Sequence, residues 1–403
     1  MDCKTEYHWF DEPNTVRIRL EKDFGKNLIN KAILKASSKS KLAYAIRVSK
    51  ATIFNYFHNT SLTVGGLKKI LDFLGIGYLI AEDKVEEIAW SKGVKLPIKL
   101  NSISMATILA AIMGDGTINE AHVEYKNSDS ELLNKVEREI KNIFGDVKIS
   151  NRISDEGVPY LIASRMVRRV LKITGVPTGK KLNQGIGIPK VIMDNSIEIQ
   201  KAFLQQFFDD EGWAETTNYK IGLSQANECT KAINERFLSE MKIGKPYSIN
   251  KIPKENRQHI KPPKILIDAR KILCDNFLVE SNLRLKRIIK RKKGYVTAFW
   301  EIDIGKKESI LNFSNKIGFY CSRKRKTLDL MIKLREKVVT KDVLNKICEE
   351  GTLLAKEKGF FRVKDLSGKI DLHPYKIRKK ILTLVNRGIF SNNGGKYCLK
   401  PVT

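Results

Sequence analysis

The sequence holds few of the residues from which metal clusters and disulfide frameworks are built. It has six cysteines and five histidines in 403 residues. Cys3, Cys229, Cys274, Cys321, Cys348 and Cys398 are scattered, with no C-x-x-C pair and no histidine at ligand spacing. That argues against a zinc site and a stapled secreted scaffold, and for reduced thiols in a cytoplasmic protein. No apolar run reaches the roughly 18 residues of a membrane-spanning helix. The opening MDCKTEYHWFDEP also lacks the basic and apolar regions of an export signal, so no membrane partner is expected. Acidic residues are scarce beside basic ones: 45 Asp and Glu stand against 74 Lys and Arg, a net charge of +29. The excess recurs along most of the chain, as in proteins that neutralise a polyanion. At 42% hydrophobic residues the chain can fold, and its length calls for roughly two to four domains.

What the chain does contain is a repeated pattern. ILAAIMGDG at 108–116 and LQQFFDDEG at 204–212 are apolar runs at helical spacing, each ending in an acid followed by glycine. Asp115 and Glu211 lie 96 residues apart, about the length of one small α/β unit. A carboxylate at a helix C-terminus is disfavoured by up to ~1 kcal/mol, while glycine there suits a left-handed helix stop. Two such placements suggest two acids presented to a shared cation.

The surrounding elements repeat as well. After the first motif helix (about 104–115) come a strand at 122–126, a helix from Asn127 to Phe144, strands at 146–152 and 159–163, and a helix at 166–173. After the second (about 196–211) come a strand at 219–224, a helix at 226–241 and a strand at 247–252. An insertion-like segment, about 253–293, then precedes a strand at 295–303 and a helix at 308–317. Within that segment Ser281–Lys293 carries seven cations and no acid, a candidate amphipathic helix or strand edge along a phosphate backbone.

These two motifs, with Gly175-Val-Pro-Thr-Gly-Lys-Lys181 and Asn312-Phe-Ser-Asn-Lys-Ile-Gly-Phe319, resemble the paired dodecapeptide motifs of LAGLIDADG (DOD-type) homing endonucleases. The resemblance covers roughly residues 100–337. It implies an α+β class: a pseudo-two-fold duplicated αββαββα core with halves at 104–195 and 196–337, in a single-chain monomer. It further implies double-stranded DNA as partner and Mg²⁺, or another divalent cation, held by Asp115 and Glu211. Catalytic lysines implied are Lys181 or Lys180 in the first half and Lys324 or Lys326 in the second, Lys181 and Lys326 being the first candidate of each pair. Small residues such as Ala110, Ala111 and Gly114 would let the motif helices pack closely. Gln206 departs from the family's glycine, either loosening the helix pair or hydrogen-bonding across it. Asp209 and Asp210 are expected to be solvated or helix-pairing residues, not ligands. Lys126, Arg284, Arg287 and Arg291 are the core's candidate DNA contacts.

Both flanks suggest further DNA-binding units. Within an N-terminal domain at 1–80, roughly residues 27–77 resemble the helix-turn-helix of phage-repressor-type DNA-binding domains. Ser49 would cap the second helix, Leu42, Ala45, Ile46, Val48, Ile53 and Phe57 would face inward, and Lys50, Thr52 and Asn55 would meet base edges. Residues 81–103 read as a connector. Residues 338–403 resemble a winged helix, with three helices, a hairpin around an Asn-Gly turn, and Tyr375, Lys376, Arg378 and Lys379 facing DNA. The expected function is a free-standing, sequence-specific DNA endonuclease. It is expected not to be an intein, since the chain starts Met1-Asp2 and ends Pro401-Val-Thr403 without His-Asn. The alternatives are a non-catalytic transcription regulator reusing this fold and, with less support, an RNA-splicing maturase.

Overall fold

The computed structural model describes residues 4–59, 61–89, 91–179, 185–336 and 341–400, and the protein is of the α+β class. At its centre two helices, Ile103–Met113 and Ile197–Glu211, pack against each other. Every residue from Met105 to Met113 is buried, as a helix that is apolar all round requires. Its partner buries Phe203, Leu204, Phe207 and Phe208 together with Gln206 and Asp209.

Each motif helix runs straight into an antiparallel sheet. In the first half the strand order is Gly116–Ile118, Val123–Lys126, Pro159–Ala163, Ile149–Ile153. In the second it is Gly212–Glu215, Lys220–Glu228, Val296–Ile304, Asn282–Lys290, Pro246–Ser248. The helix Ser130–Phe144 covers the first sheet with Leu132, Val136, Ile140 and Phe144, which recur at helical spacing. Lys264–Phe277 does the same in the second half through Ile265, Leu266, Ala269, Ile272 and Leu273.

Several expectations are corrected here. Ala226–Glu228 continue the strand Lys220–Glu228, because it pairs along its length with Val296–Ile304. Of the helix expected at 226–241 only Glu235–Glu240 is α-helical. The segment expected as an insertion at 253–293 supplies both the covering helix Lys264–Phe277 and a long strand of the sheet, Asn282–Lys290. Its basic run is thus not a helix but a strand, which Pro246–Ser248 flanks only at Arg287–Ile289, so that Asn282–Lys286 lies at the sheet edge. Leu285 and Ile288 both face inward, because a bulge between Leu285 and Arg287 resets the alternation.

The motif glycines also differ from a helix stop. Gly212 is extended (φ −99, ψ 170) and Gly116 opens a strand. A Cβ on Gly116 would lie 2.6 Å from Ile112 Cα, and one on Gly212 2.6 Å from the Phe208 carbonyl oxygen. Glycine is needed at both because helix and strand meet with no room for a side chain.

In the N-terminal unit the helices Lys22–Ala36, Lys39–Ala45, Lys50–Asn59 and Val64–Leu74 pack on a four-stranded sheet. Val85–Ile88 and Ser91–Lys92, in the stretch expected as a connector, form half of that sheet. Ser49 Oγ accepts from the Thr52 amide at 3.0 Å, the expected cap. Leu42, Ile46 and Ile53 are buried, whereas Ala45 is exposed because its side of the short helix faces away from the bundle. This unit shares one continuous apolar core with the two halves.

The C-terminal unit has its own core, including Ile347, Phe361, Ile377, Ile381 and Phe390. Its helices are Lys341–Lys358, Val363–Ser367 and Pro374–Asn386, followed by the hairpin Phe390–Asn393 and Lys396–Leu399. Gly394 and Gly395, both at positive φ, form the two-residue turn in place of the expected Asn-Gly pair. His373 is fully buried, its Nδ1 accepts from the Tyr375 amide at 3.0 Å, and its ring centroid lies 3.7 Å from that of Tyr219 in the second half. Burial, aided by nearby Lys376, holds its imidazole down from 6.5 to about 4. A depressed histidine contributes stability above its unfolded pKa and loses it as pH falls through the folded one. The C-terminal unit should therefore weaken by about 1–2 kcal/mol between pH 7 and 4.5. Urea unfolding at the two pH values checks this, and His373→Asn, which keeps a capping oxygen, should flatten the dependence.

Candidate active site at the paired helix ends

Asp115 is exposed, in the turn beyond the first motif helix, and Glu211 is the half-buried last residue of the second. The strand register gives them matching neighbours. Gly116 pairs with Tyr125 and Gly212 with Leu223, so Asn127 and Gln225 each lie two residues beyond a glycine's partner. Asn127 Nδ2 donates to Asp115 Oδ2 at 3.0 Å. Gln225 and Glu211 line a cleft of about 1130 Å³ that Gly114 borders from the other helix.

Between the acids lies a polar network that the sequence did not disclose. Asn127 Nδ2 also approaches Asp210 Oδ1 at 3.2 Å and Tyr125 Oη at 3.2 Å, sharing two hydrogens among three acceptors. Tyr125 Oη donates to Asp210 Oδ1 at 2.7 Å. Gln206 Nε2 donates to both Asp210 oxygens, at 3.2 and 3.1 Å, and reaches Tyr125 Oη at 3.3 Å. Gln206 therefore bonds across the interface and does not hold the helices apart. Burial pushes the Asp210 carboxyl well above the usual carboxylate range, opposed by the Tyr125 hydroxyl. The Tyr125 phenol is raised by burial and by Asp210. Of the two alternatives expected, solvated or helix-pairing, the structure excludes the first for both residues, and Asp210 pairs with the first half through Gly114, Tyr125 and Asn127. Asp209 is 2% exposed and accepts the amides of Tyr320 and Cys321 at 3.0 and 3.1 Å. Burial lifts its carboxyl to about 6 against the pull of those amides.

Gly114 shows what sets the helix separation. A Cβ there would stand 2.9 Å from Asp210 Cβ, whereas Ala110 and Ala111 are simply buried on the same helix. Gly114→Ala should cost about 1–3 kcal/mol by overpacking, and Asp210→Gly in the same chain should return part of it. A double-mutant cycle by thermal unfolding measures the coupling.

The lysines divide differently from the expectation. Lys181 and Lys180 lie outside the described residues. Lys324 is buried, and its Nζ donates to the carbonyls of Phe208 (3.2 Å), Asp209 and Gly212. It is spent on the free carbonyls of the second motif helix, whose negative end it offsets, and burial lowers its pKa. Lys326, two residues on in the helix Ser322–Glu336, is exposed. Replacing Lys324 with Met should destabilise the protein by about 1–3 kcal/mol by orphaning carbonyls, while Lys326→Met should leave thermal unfolding unchanged.

Around Lys324 the chain ties both halves together. Ser322 donates through its amide and Oγ to Glu131, at 2.9 and 3.0 Å, and the Cys321 thiol donates to Asp129 at 3.0 Å. Lys135 lies 4.4 Å over the Tyr320 ring, and burial depresses its pKa.

Other candidates fall outside this centre. Arg287 and Arg291 lie over the Phe299 ring at 4.8 and 5.4 Å, and Phe299 lines the cleft. Arg284 is paired with Asp303 and, at 3.5 Å, Glu301. Lys126 is exposed, 5.1 Å over Tyr160. Lys50 and Asn55 are exposed, but the Thr52 hydroxyl is engaged with Ser49 at 2.8 Å. Arg378 and Lys379 are exposed and Lys376 half-buried, while Tyr375 lies beside Tyr219, ring centroids 6.3 Å apart. Among the described residues no three His, Cys, Asp or Glu side chains are grouped to hold a metal, and no helix is long and apolar enough to cross a membrane.

No family model matches the chain. A curated relative, the probable translation initiation factor IF-2 of Methanocaldococcus jannaschii, is 25% identical over 167 residues, 41% of this chain and 14% of that protein. The chain thus spans only a small part of that relative's length. Among solved structures, the homing endonuclease I-DmoI in complex with DNA and Ca has a TM-score of 0.34 at 12% identity, covering 57% of this chain and 98% of that one. The N-terminal LAGLIDADG domain of DUF199/WhiA has a TM-score of 0.31 at 12% identity, covering 59% and 90%. Overlays this loose do not carry a function, which rests on the chain's own residues.

Proposed function

We propose that the chain is a metal-dependent, sequence-specific endonuclease of the LAGLIDADG type that cuts double-stranded DNA as a monomer with internal pseudo-two-fold symmetry. The observation that carries this reading is the paired junction. Asp115 and Glu211 each sit where a packed helix turns into a strand, with Asn127 and Gln225 at equivalent register. The net charge of +29 suits a polyanionic substrate.

The donors at the junctions are carboxylates and amides, without thiolate or imidazole. This fits Mg²⁺ or another hard divalent cation, which takes one or two carboxylates and completes its shell with phosphate and water. Asp115 and Glu211 would hold it, and when bound it would supply charge neutralisation and a more acidic water. The remaining work belongs to the chain. Asn127 fixes the Asp115 carboxylate, and Gln225 offers an amide in the cleft to orient a water or phosphate oxygen. Lys326, and Lys181 in the first half, are proposed to neutralise charge developing on the phosphate. Lys126, Arg287 and Arg291 would grip the backbone. Arg284, braced by Asp303, would present a fixed guanidinium to base edges. Lys50 and Asn55 at one end, and Lys376 and Arg378 at the other, would add contacts from the terminal units.

A second reading, a non-catalytic DNA-binding regulator, is favoured by Asp210. It adds a third carboxyl beside the two acids and draws on the same Asn127 amide that steadies Asp115. A randomised duplex library with Mg²⁺ separates the two. The enzyme cuts selected sites, loses cutting on chelation, and loses it by at least about 100-fold in Asp115→Asn or Glu211→Gln with binding retained. Salt-sensitive binding without any cut would leave the regulator.

A further inference from the structure

The second half carries a stretch the first half lacks. In the first, residues 127–129 alone separate the strand Val123–Lys126 from its covering helix, whereas in the second 229–263 separate Lys220–Glu228 from Lys264–Phe277. This appendage is folded onto the sheet. Cys229, Ile233, Phe237 and Met241 close over Ile288 and Ala298 of the long strands, forming a core distinct from the central one. Such a base holds its surface in a fixed place relative to the acids.

That surface is basic. Residues 229–263 contain eight cations and three acids. Lys231, Lys242, Lys245, Lys251, Lys254 and Lys261 are exposed. Among the described residues none of these six is ion-paired, the appendage's one ion pair being Arg236 with Glu240 at 3.6 Å. Position turns this charge into a surface with a use. The cleft that begins at Gly114 and Glu211 continues along Ser224–Thr230 to Lys231, His259 and Lys261. Glu211 and the edge of the appendage therefore line one continuous groove.

The sheets differ in reach in the same sense. The strands Ile149–Ile153 and Pro159–Ala163 have five residues each, and Asn282–Lys290 and Val296–Ile304 have nine. Four more residues at ~3.3 Å lengthen the second arm by about 13 Å, or about four base pairs at ~3.4 Å.

We propose that the 229–263 appendage is a phosphate-backbone clamp that extends the second half's arm, so that a bound DNA duplex is held asymmetrically about the paired acids. This rests on the duplex-DNA reading of the cleft. Lys231 and Lys261 contact phosphates at the far end of the longer arm and read no sequence.

The test uses the full chain and a random-sequence duplex of about 40 base pairs, roughly four helical turns. Affinity is measured against salt for the wild type and for Lys231→Ala/Lys261→Ala, whose exposed sites leave the unfolding temperature unchanged. The double variant should lower the slope of log K against log salt by about two. On a single sequence recovered from a bound pool, hydroxyl-radical protection should run about four base pairs further on one side of the centre. The double variant should trim that side alone. Duplex binding with an unchanged slope and equal arms overturns the clamp by itself. Failure of the wild type to bind duplex DNA overturns the reading beneath it.

Discussion

The close approach of the two motif helices is the constraint on which the rest of the structure depends. Where Gly114 faces Asp210 the Asp210 side chain leaves no space for a second Cβ, and that contact sets how the two helix ends stand to each other. Everything outward inherits it. Gly116 and Gly212 turn each helix abruptly into its first strand, the strand registers follow, and the flanking amides are carried to their places. A small error at the dyad would be passed on to both sheets, because a packed interior transmits strain.

The interface is polar where an apolar one would be simpler. Gln206, Asp210, Tyr125 and Asn127 form a shared network at the junction of the halves. In a low-dielectric setting such a network rigidifies when its members are paired and is costly when one is lost. The Gln206 side-chain oxygen is buried with no hydrogen-bond partner. The arrangement therefore trades stability for a defined alignment, with Asn127 joining Asp115 of one half to Asp210 of the other.

The two motif helices, the helices of the N-terminal unit with their Ser49 cap, and the C-terminal helices with their hairpin were legible in the sequence, because periodicity and capping are local signals. The positions of Tyr125, Asn127 and Gln225 beside the acids were not. They follow from hairpin register, and the two hairpins differ in length, so Asn127 is 12 residues past Asp115 and Gln225 is 14 past Glu211. The strand Asn282–Lys290 was misread because its cations hide an inward face that a bulge keeps in phase. Lys324 and Lys326 could not be separated from sequence. Burial among backbone carbonyls distinguishes them, and nothing local encodes it.

The knot around Lys324 has a consequence for the order in which the molecule becomes complete. Asp209 receives its amides, and the second motif helix its cation, from residues 320–324, more than a hundred positions downstream. Those same residues reach back to Asp129 and Glu131 in the first half. A chain emerging from the ribosome would carry both motifs, and both sheets, before the cation that neutralises the second helix end had been synthesised. The contacts that tie off the second helix end and bind it to the first half are thus completed late in synthesis, by a short segment that belongs to neither motif.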